Sequence, residues 1–97
     1  MKRFLAVFGL TALVAVTSAH IGSPDTIDGG DGNDLILGEG DDDILTGAAG
    51  NDQMQGGTGN DKLGGGTGSD ILHGDDGNDE VTGGDGDDVM AGELGDD

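Results

Sequence analysis

The sequence has no cysteine, no tryptophan and no tyrosine, and only three of its 97 residues are basic. Without cysteine, no disulfide can staple the fold. A formal net charge of -18 argues against nucleic acid or an anionic membrane surface as a partner. Two of the three basic residues, Lys2 and Arg3, and both aromatics, Phe4 and Phe8, lie within the first eight positions. Residues 20–97 therefore hold all 21 acids against Lys62 alone, and no aromatic side chain. Histidine is limited to His20 and His73, and serine to Ser18, Ser23 and Ser69. No catalytic constellation is visible, and no carboxylate is set apart by an apolar pocket that would tune it, so no enzymatic role is expected. Low hydrophobicity, high charge and 23 glycines would ordinarily describe a disordered chain. Cations are the natural partner of such a chain, and a bound metal is the remaining device that can stabilise so small a domain.

What is present is a period. From Gly29 to Ala91 the chain reads as seven consecutive nine-residue units: GGDGNDLIL, GEGDDDILT, GAAGNDQMQ, GGTGNDKLG, GGTGSDILH, GDDGNDEVT and GGDGDDVMA. The first position is always Gly. The sixth is always Asp: Asp34, Asp43, Asp52, Asp61, Asp70, Asp79 and Asp88. The eighth is always apolar: Ile36, Leu45, Met54, Leu63, Leu72, Val81 and Met90. The unit at Gly38 departs most, with Glu39 in place of the second Gly and Asp41 in place of the fourth.

Four segments follow. Residues 1–19 have the layout of a secretory signal peptide: a basic start, an apolar run over 4–16, and small residues at Thr17-Ser18-Ala19. They are expected to form a helix that is removed on export, leaving a secreted, extracellular protein with no membrane segment. Residues 20–28 keep the phase of the repeat, with Asp25 and Ile27 at its sixth and eighth positions, and read as a degenerate capping unit. Residues 29–91 are the array. Residues 92–97 begin a further unit and stop at its sixth position.

Glycine density opposes helix, and a period of nine opposes one long strand. The workable geometry is a six-residue turn, with Gly at positions one, two and four supplying positive φ, and then a three-residue strand. The strand points position eight inward and positions seven and nine outward. Each turn reverses the chain, so eighteen residues complete a circuit and strands one circuit apart stack in parallel at about 4.8 Å. Asp residues eighteen apart then face each other from stacked turns: Asp34 with Asp52, Asp43 with Asp61, Asp52 with Asp70, Asp61 with Asp79, and Asp70 with Asp88. Asp25 with Asp43 and Asp79 with Asp97 are the end pairs. Calcium binds oxygens at about 2.3–2.6 Å and prefers six or more of them, so an ion between two turns can draw carboxylates and carbonyls from both. Zinc or copper would want His or Cys. The expected metal ligands are Asp25, Asp34, Asp43, Asp52, Asp61, Asp70, Asp79 and Asp88. Met54 and Met90 are expected in the core, and Leu35, Leu37, Ile44 and Ile71 on the outside.

GGDGNDLIL, GGTGNDKLG, GGTGSDILH and GGDGDDVMA closely resemble the RTX, or hemolysin-type, calcium-binding nonapeptide. The resemblance implies an all-β fold, a right-handed parallel β-roll that is disordered without calcium and folds outside the cell. It implies the sixth-position Asp residues as ligands, with turn carbonyls completing the shells. Members of that family are typically toxins, proteases, lipases or adhesins in which the repeats follow another domain. Here they follow the leader directly. Three roles are therefore expected in turn: a secreted calcium-binding roll, a structural, adhesion or spacer module stiffened by calcium and open to self-association, and a fragment of a larger exported enzyme or toxin.

Overall fold

The structure is a computed structural model that describes residues 3–6, 14–17, 24–92 and 95. Its ten strands are β1 (Arg3–Ala6), β2 (Val14–Thr17), β3 (Asp25–Asp31), β4 (Asp34–Leu37), β5 (Ile44–Ala49), β6 (Gln53–Thr58), β7 (Lys62–Thr67), β8 (Ile71–Asp76), β9 (Glu80–Asp85) and β10 (Val89–Ala91). They build two parallel sheets, one in the order β1-β3-β5-β7-β9 and the other in the order β10-β8-β6-β4-β2. Successive strands alternate between the sheets, so β3 to β10 wind a solenoid of four circuits. From β3 onward every pairing is offset by eighteen residues: Ile44 lies beside Lys62, and Lys62 beside Glu80. On the opposite wall Leu35 lies beside Gln53, Gln53 beside Ile71, and Ile71 beside Val89.

Within the stretch expected to be a leader helix, the two described segments are strands. β1 joins β3 with Arg3 beside Asp25, and β2 joins β4 with Val14 beside Asp34. These offsets are 22 and 20 residues, not eighteen, because the stretch carries no nonapeptide. The remainder of residues 1–23, His20 among them, lies outside the described residues, as do all of 92–97 except Gly92 and Gly95.

The strands are longer and the turns shorter than the repeat predicts. β5 to β9 each cover positions seven to nine and continue through positions one to three of the next unit, leaving three residues for the turn. The ladder persists there because positions two and three still pair with their equivalents eighteen residues on, as in Ala48 with Gly66 and Ala49 with Thr67. The unit at Gly38 is the exception. β4 stops at Leu37 and β5 begins at Ile44, where Glu39 and Asp41 replace glycine.

Burial alternates along each repeat. Positions six, eight and one face inward, and positions seven and nine outward. The apolar core is a single file of Ile27, Ile36, Leu45, Met54, Leu63 and Leu72, with Val81 packed against it. Met90 does not join it. Its side chain is 52% exposed, since no further described circuit covers β10. The thinnest dimension of the molecule is 13 Å, which leaves room for one layer of side chains between the sheets. Positions one to six of each unit, a strand end and the turn after it, fall on two edges. One edge carries residues 38–43, 56–61 and 74–79, and the other 29–34, 47–52, 65–70 and 83–88.

Candidate metal centre

The sixth-position aspartates are not on the surface of the turns. Asp25, Asp34, Asp43, Asp52, Asp61 and Asp70 are at most 2% exposed, and Asp79 is 5% exposed. Each occupies the inward slot two residues before an apolar core residue. They form two columns, one per edge: Asp25, Asp43, Asp61 and Asp79, and opposite them Asp34, Asp52 and Asp70, continued by a half-buried Asp88 in the last circuit.

Residues eighteen apart meet, as the repeat predicts, but through the backbone. The backbone N–H of Asp25 donates to Asp43 Oδ1 at 2.8 Å, that of Asp34 to Asp52 at 2.8 Å, and that of Asp43 to Asp61 at 2.7 Å. Asp52 donates to Asp70, Asp61 to Asp79 and Asp70 to Asp88 in the same way, at 2.8, 2.8 and 2.9 Å. One carboxylate oxygen is thereby fixed to the neighbouring circuit. The other, Oδ2, is buried without a hydrogen-bond donor in Asp43, Asp52, Asp61 and Asp70, and Asp34 has neither oxygen bonded. Asp34 differs because β2 meets β4 out of the eighteen-residue step.

The invariant first Gly follows from those carboxylates. A Cβ at Gly38 would lie 2.6 Å from Asp43 Oδ2 and 2.7 Å from the carbonyl of Gly56, and at Gly47 2.4 Å from Asp52 Oδ2 and 2.7 Å from the carbonyl of Gly65. Positive φ does not explain this position. It belongs to positions two and four, where Glu39 (79°), Asp41 (68°), Ala48 (82°) and Asp75 (70°) adopt it as well.

Position five carries a second ladder that the repeat did not disclose. Asn51 N–H donates to Asn33 Oδ1, Asn60 to Asp42, Ser69 to Asn51 and Asn78 to Asn60, at 2.7 to 2.9 Å. The signal was present: position five is Asn, Asp or Ser in all seven units, each with a short side-chain oxygen. It runs opposite to the inner ladder, since its side chains accept from the following circuit and not the preceding one.

Burying carboxylates without counter-charge raises their proton affinity. Desolvation, opposed by the backbone hydrogen bond and reinforced by neighbouring carboxylates, lifts Asp43 to about 7 and Asp52 and Asp61 to about 6. Asp34 and Asp70 are raised for the same first reason. Within residues 24–92 no cationic side chain answers them: Lys62, the one Lys or Arg there, is exposed and sits 4.0 Å from Glu80. Among the described residues no group of three or more His, Cys, Asp or Glu side chains forms a ready metal cluster. A cation held in these columns would need backbone carbonyls beside the carboxylates. The donor set is all oxygen, which fits a hard divalent ion and not zinc or copper.

A parallel β-solenoid lined by two carboxylate columns defines a narrow class of repeat protein. The chain belongs to the RTX calcium-binding nonapeptide repeat family: the family model, of four repeat copies, matches residues 22–54, 46–79 and 64–97. No curated protein and no solved structure matches the chain.

Proposed function

We propose that the protein is a calcium-binding β-roll whose folding is driven by the ion, and that Asp25, Asp34, Asp43, Asp52, Asp61, Asp70, Asp79 and Asp88 are the carboxylate ligands, joined by turn carbonyls. The observation that carries this reading is the set of buried Oδ2 oxygens on Asp43, Asp52, Asp61 and Asp70, which have no hydrogen-bond donor. Ionised carboxylates in that setting are costly to bury. Calcium supplies positive charge and oxygen coordination at one stroke. The chain's own residues do the rest: backbone N–H groups orient the carboxylates of Asp43, Asp52, Asp61, Asp70, Asp79 and Asp88, the first-position glycines leave space for Oδ2, and the single-file apolar core holds the walls together. Metal binding and folding are then one event. The leader-like residues 1–19 support a secreted location, where free calcium is plentiful, and the role is binding and not catalysis.

The test is circular dichroism across a calcium titration. Disorder in chelator at neutral pH and β structure in millimolar calcium are expected; a chain that stays disordered at saturating calcium overturns the reading. Asp61 belongs to two proposed pairs, so Asp61→Ala should release more bound calcium than Asp25→Ala. Equal losses would refute the paired-turn scheme.

A structural or adhesion role rests on one further observation. The seventh- and ninth-position residues of β4, β6, β8 and β10 are Leu35, Leu37, Gln53, Gln55, Ile71, His73, Val89 and Ala91, without a formal charge, and the wall turns acidic only at the end of β8, with Asp75 and Asp76. Leu35, Leu37 and Ile71 share that wall, whereas Ile44 lies on the other. Calcium-dependent self-association by light scattering would favour this role, and a monomer throughout would count against it.

A further inference from the structure

The two edges of the roll share their inner residues and differ in their outer ones. On one edge, the turn that holds Asp43 also carries Glu39, Asp41 and Asp42, and the turn that holds Asp79 carries Asp75 and Asp76. On the other edge the two central turns, Gly47–Asp52 and Gly65–Asp70, carry no acid except Asp52 and Asp70 themselves, and the outer acids Asp31, Asp85 and Asp87 are confined to the end turns. The inner geometry does not distinguish the two. Asp43 and Asp61, like Asp52 and Asp70, are 1% exposed and keep an unpartnered Oδ2, and both pairs are linked by the same backbone-to-Oδ1 hydrogen bond.

The outer acids are also placed against conformational preference. Glu39 and Asp41 both adopt positive φ in one turn, a region that glycine enters freely and other residues enter at a cost. Glycine stands at both positions in the units at Gly29, Gly56, Gly65 and Gly83. Asp42 joins the stacked turn directly, since its Oδ1 accepts the N–H of Asn60 at 2.7 Å. The strain opposes the folded turn, and the charges repel Asp43 until a cation is present.

We propose that the two central pairs are unequal calcium sites: the stacked turns of Asp43 and Asp61, with Glu39, Asp41 and Asp42 as outer carboxylates, take the ion more tightly and with steeper salt dependence than those of Asp52 and Asp70. This rests on the calcium reading above. The outer acids act through space as a field on a divalent ion, not as ligands. Two or three of them should tighten the site about 3- to 10-fold at low ionic strength, and the advantage should fade as salt shortens the screening length.

The test compares overall calcium-binding constants, measured in competition with a chelator, for three double variants of the full chain. Glu39→Gln/Asp41→Asn removes two charges from the acidic turn and keeps side-chain size. Asp28→Asn/Glu80→Gln removes two charges from the outward positions of the β3–β9 wall. Ala48→Asp/Ala49→Asp gives the acid-poor edge the pattern of Asp75-Asp76. In about 20 mM salt the first should weaken binding about 3- to 10-fold, the second less than about 2-fold, and the third should strengthen it about 3- to 10-fold; in about 0.5 M salt all three should converge on the parent. Equal losses in the first two variants would reduce the effect to net charge and overturn the proposal while leaving calcium binding intact. Differences that persist in high salt would make it conformational and overturn it as well. A parent chain that binds no calcium would sink both readings.

Discussion

Gly64 and Gly65 are adjacent in β7 and have opposite requirements. A Cβ at Gly64, which faces outward, meets nothing within 4 Å. One at Gly65, which faces inward, would lie 2.4 Å from Asp70 Oδ2 and 2.6 Å from the carbonyl of Gly83. Neither has positive φ, so the contrast is steric. Gly64→Ala should be neutral or stabilising by up to about 1 kcal/mol, through lower unfolded-state entropy. Gly65→Ala should cost at least about 1–3 kcal/mol. Denaturant midpoints at saturating calcium would check both, and equal effects would contradict the inward placement of the first position. At this scale the sequence was only half legible. The invariance of the first Gly was plain, but its reason was not, because the clash partner is a carboxylate folded back from the same unit. Position five looked variable only because Asn, Asp and Ser were treated as different, whereas the ladder needs just their common oxygen.

At the scale of the strand, two comparisons separate core from rim. Met54 is 2% exposed and Met90 52% exposed, although both occupy the eighth position. Met54→Ala should cost about 2–5 kcal/mol, and Met90→Ala well under 1 kcal/mol. The period of nine placed both in one column and could not say which circuit had a neighbour. Asn51 is a rung of the outer ladder, accepting from Ser69 and donating its own N–H to Asn33. Asn51→Ala should cost about 0.5–1.5 kcal/mol, the worth of one exposed rung. Asn51→Asp should retain it, since Asp42 already accepts from Asn60. A loss as large for Asp as for Ala would deny the ladder a role. The period of nine also misjudged the strand length. It marks only where apolar side chains recur, and positions one to three pair through the backbone with no apolar residue to announce them.

For the whole molecule, the buried carboxylates make folding depend on protons. Asp43, Asp52 and Asp61 bind protons more tightly in the fold, with values of about 7, 6 and 6, than at the ordinary carboxylate value near 3.8. The native state therefore holds more protons than the unfolded chain between about pH 4 and 7, and stability falls as pH rises through that window. Without calcium, β structure should grow as pH is lowered from 8 to 5, and calcium should be needed progressively less for folding. Circular dichroism in chelator across that range is the measurement, and a flat profile would contradict the internal placement of the carboxylates. The parallel two-walled architecture and its eighteen-residue circuit were readable in advance, because three fixed columns admit few geometries. The leader-like residues were not: an apolar run is compatible with helix or strand, and the described segments Arg3–Ala6 and Val14–Thr17 pair with the first circuit as strands.

The eighteen-residue step also sets a grammar for insertion and deletion. Removing residues 47–64 would excise one full circuit and leave every downstream strand on its own wall, facing an equivalent partner. Removing only 47–55 would keep the nonapeptide intact yet transpose all later strands, so that Lys62 and Glu80 would line up behind Leu35 and Ile71 behind Ile44. Copy number in this chain thus has a parity: even changes alter length, and odd changes exchange the two faces.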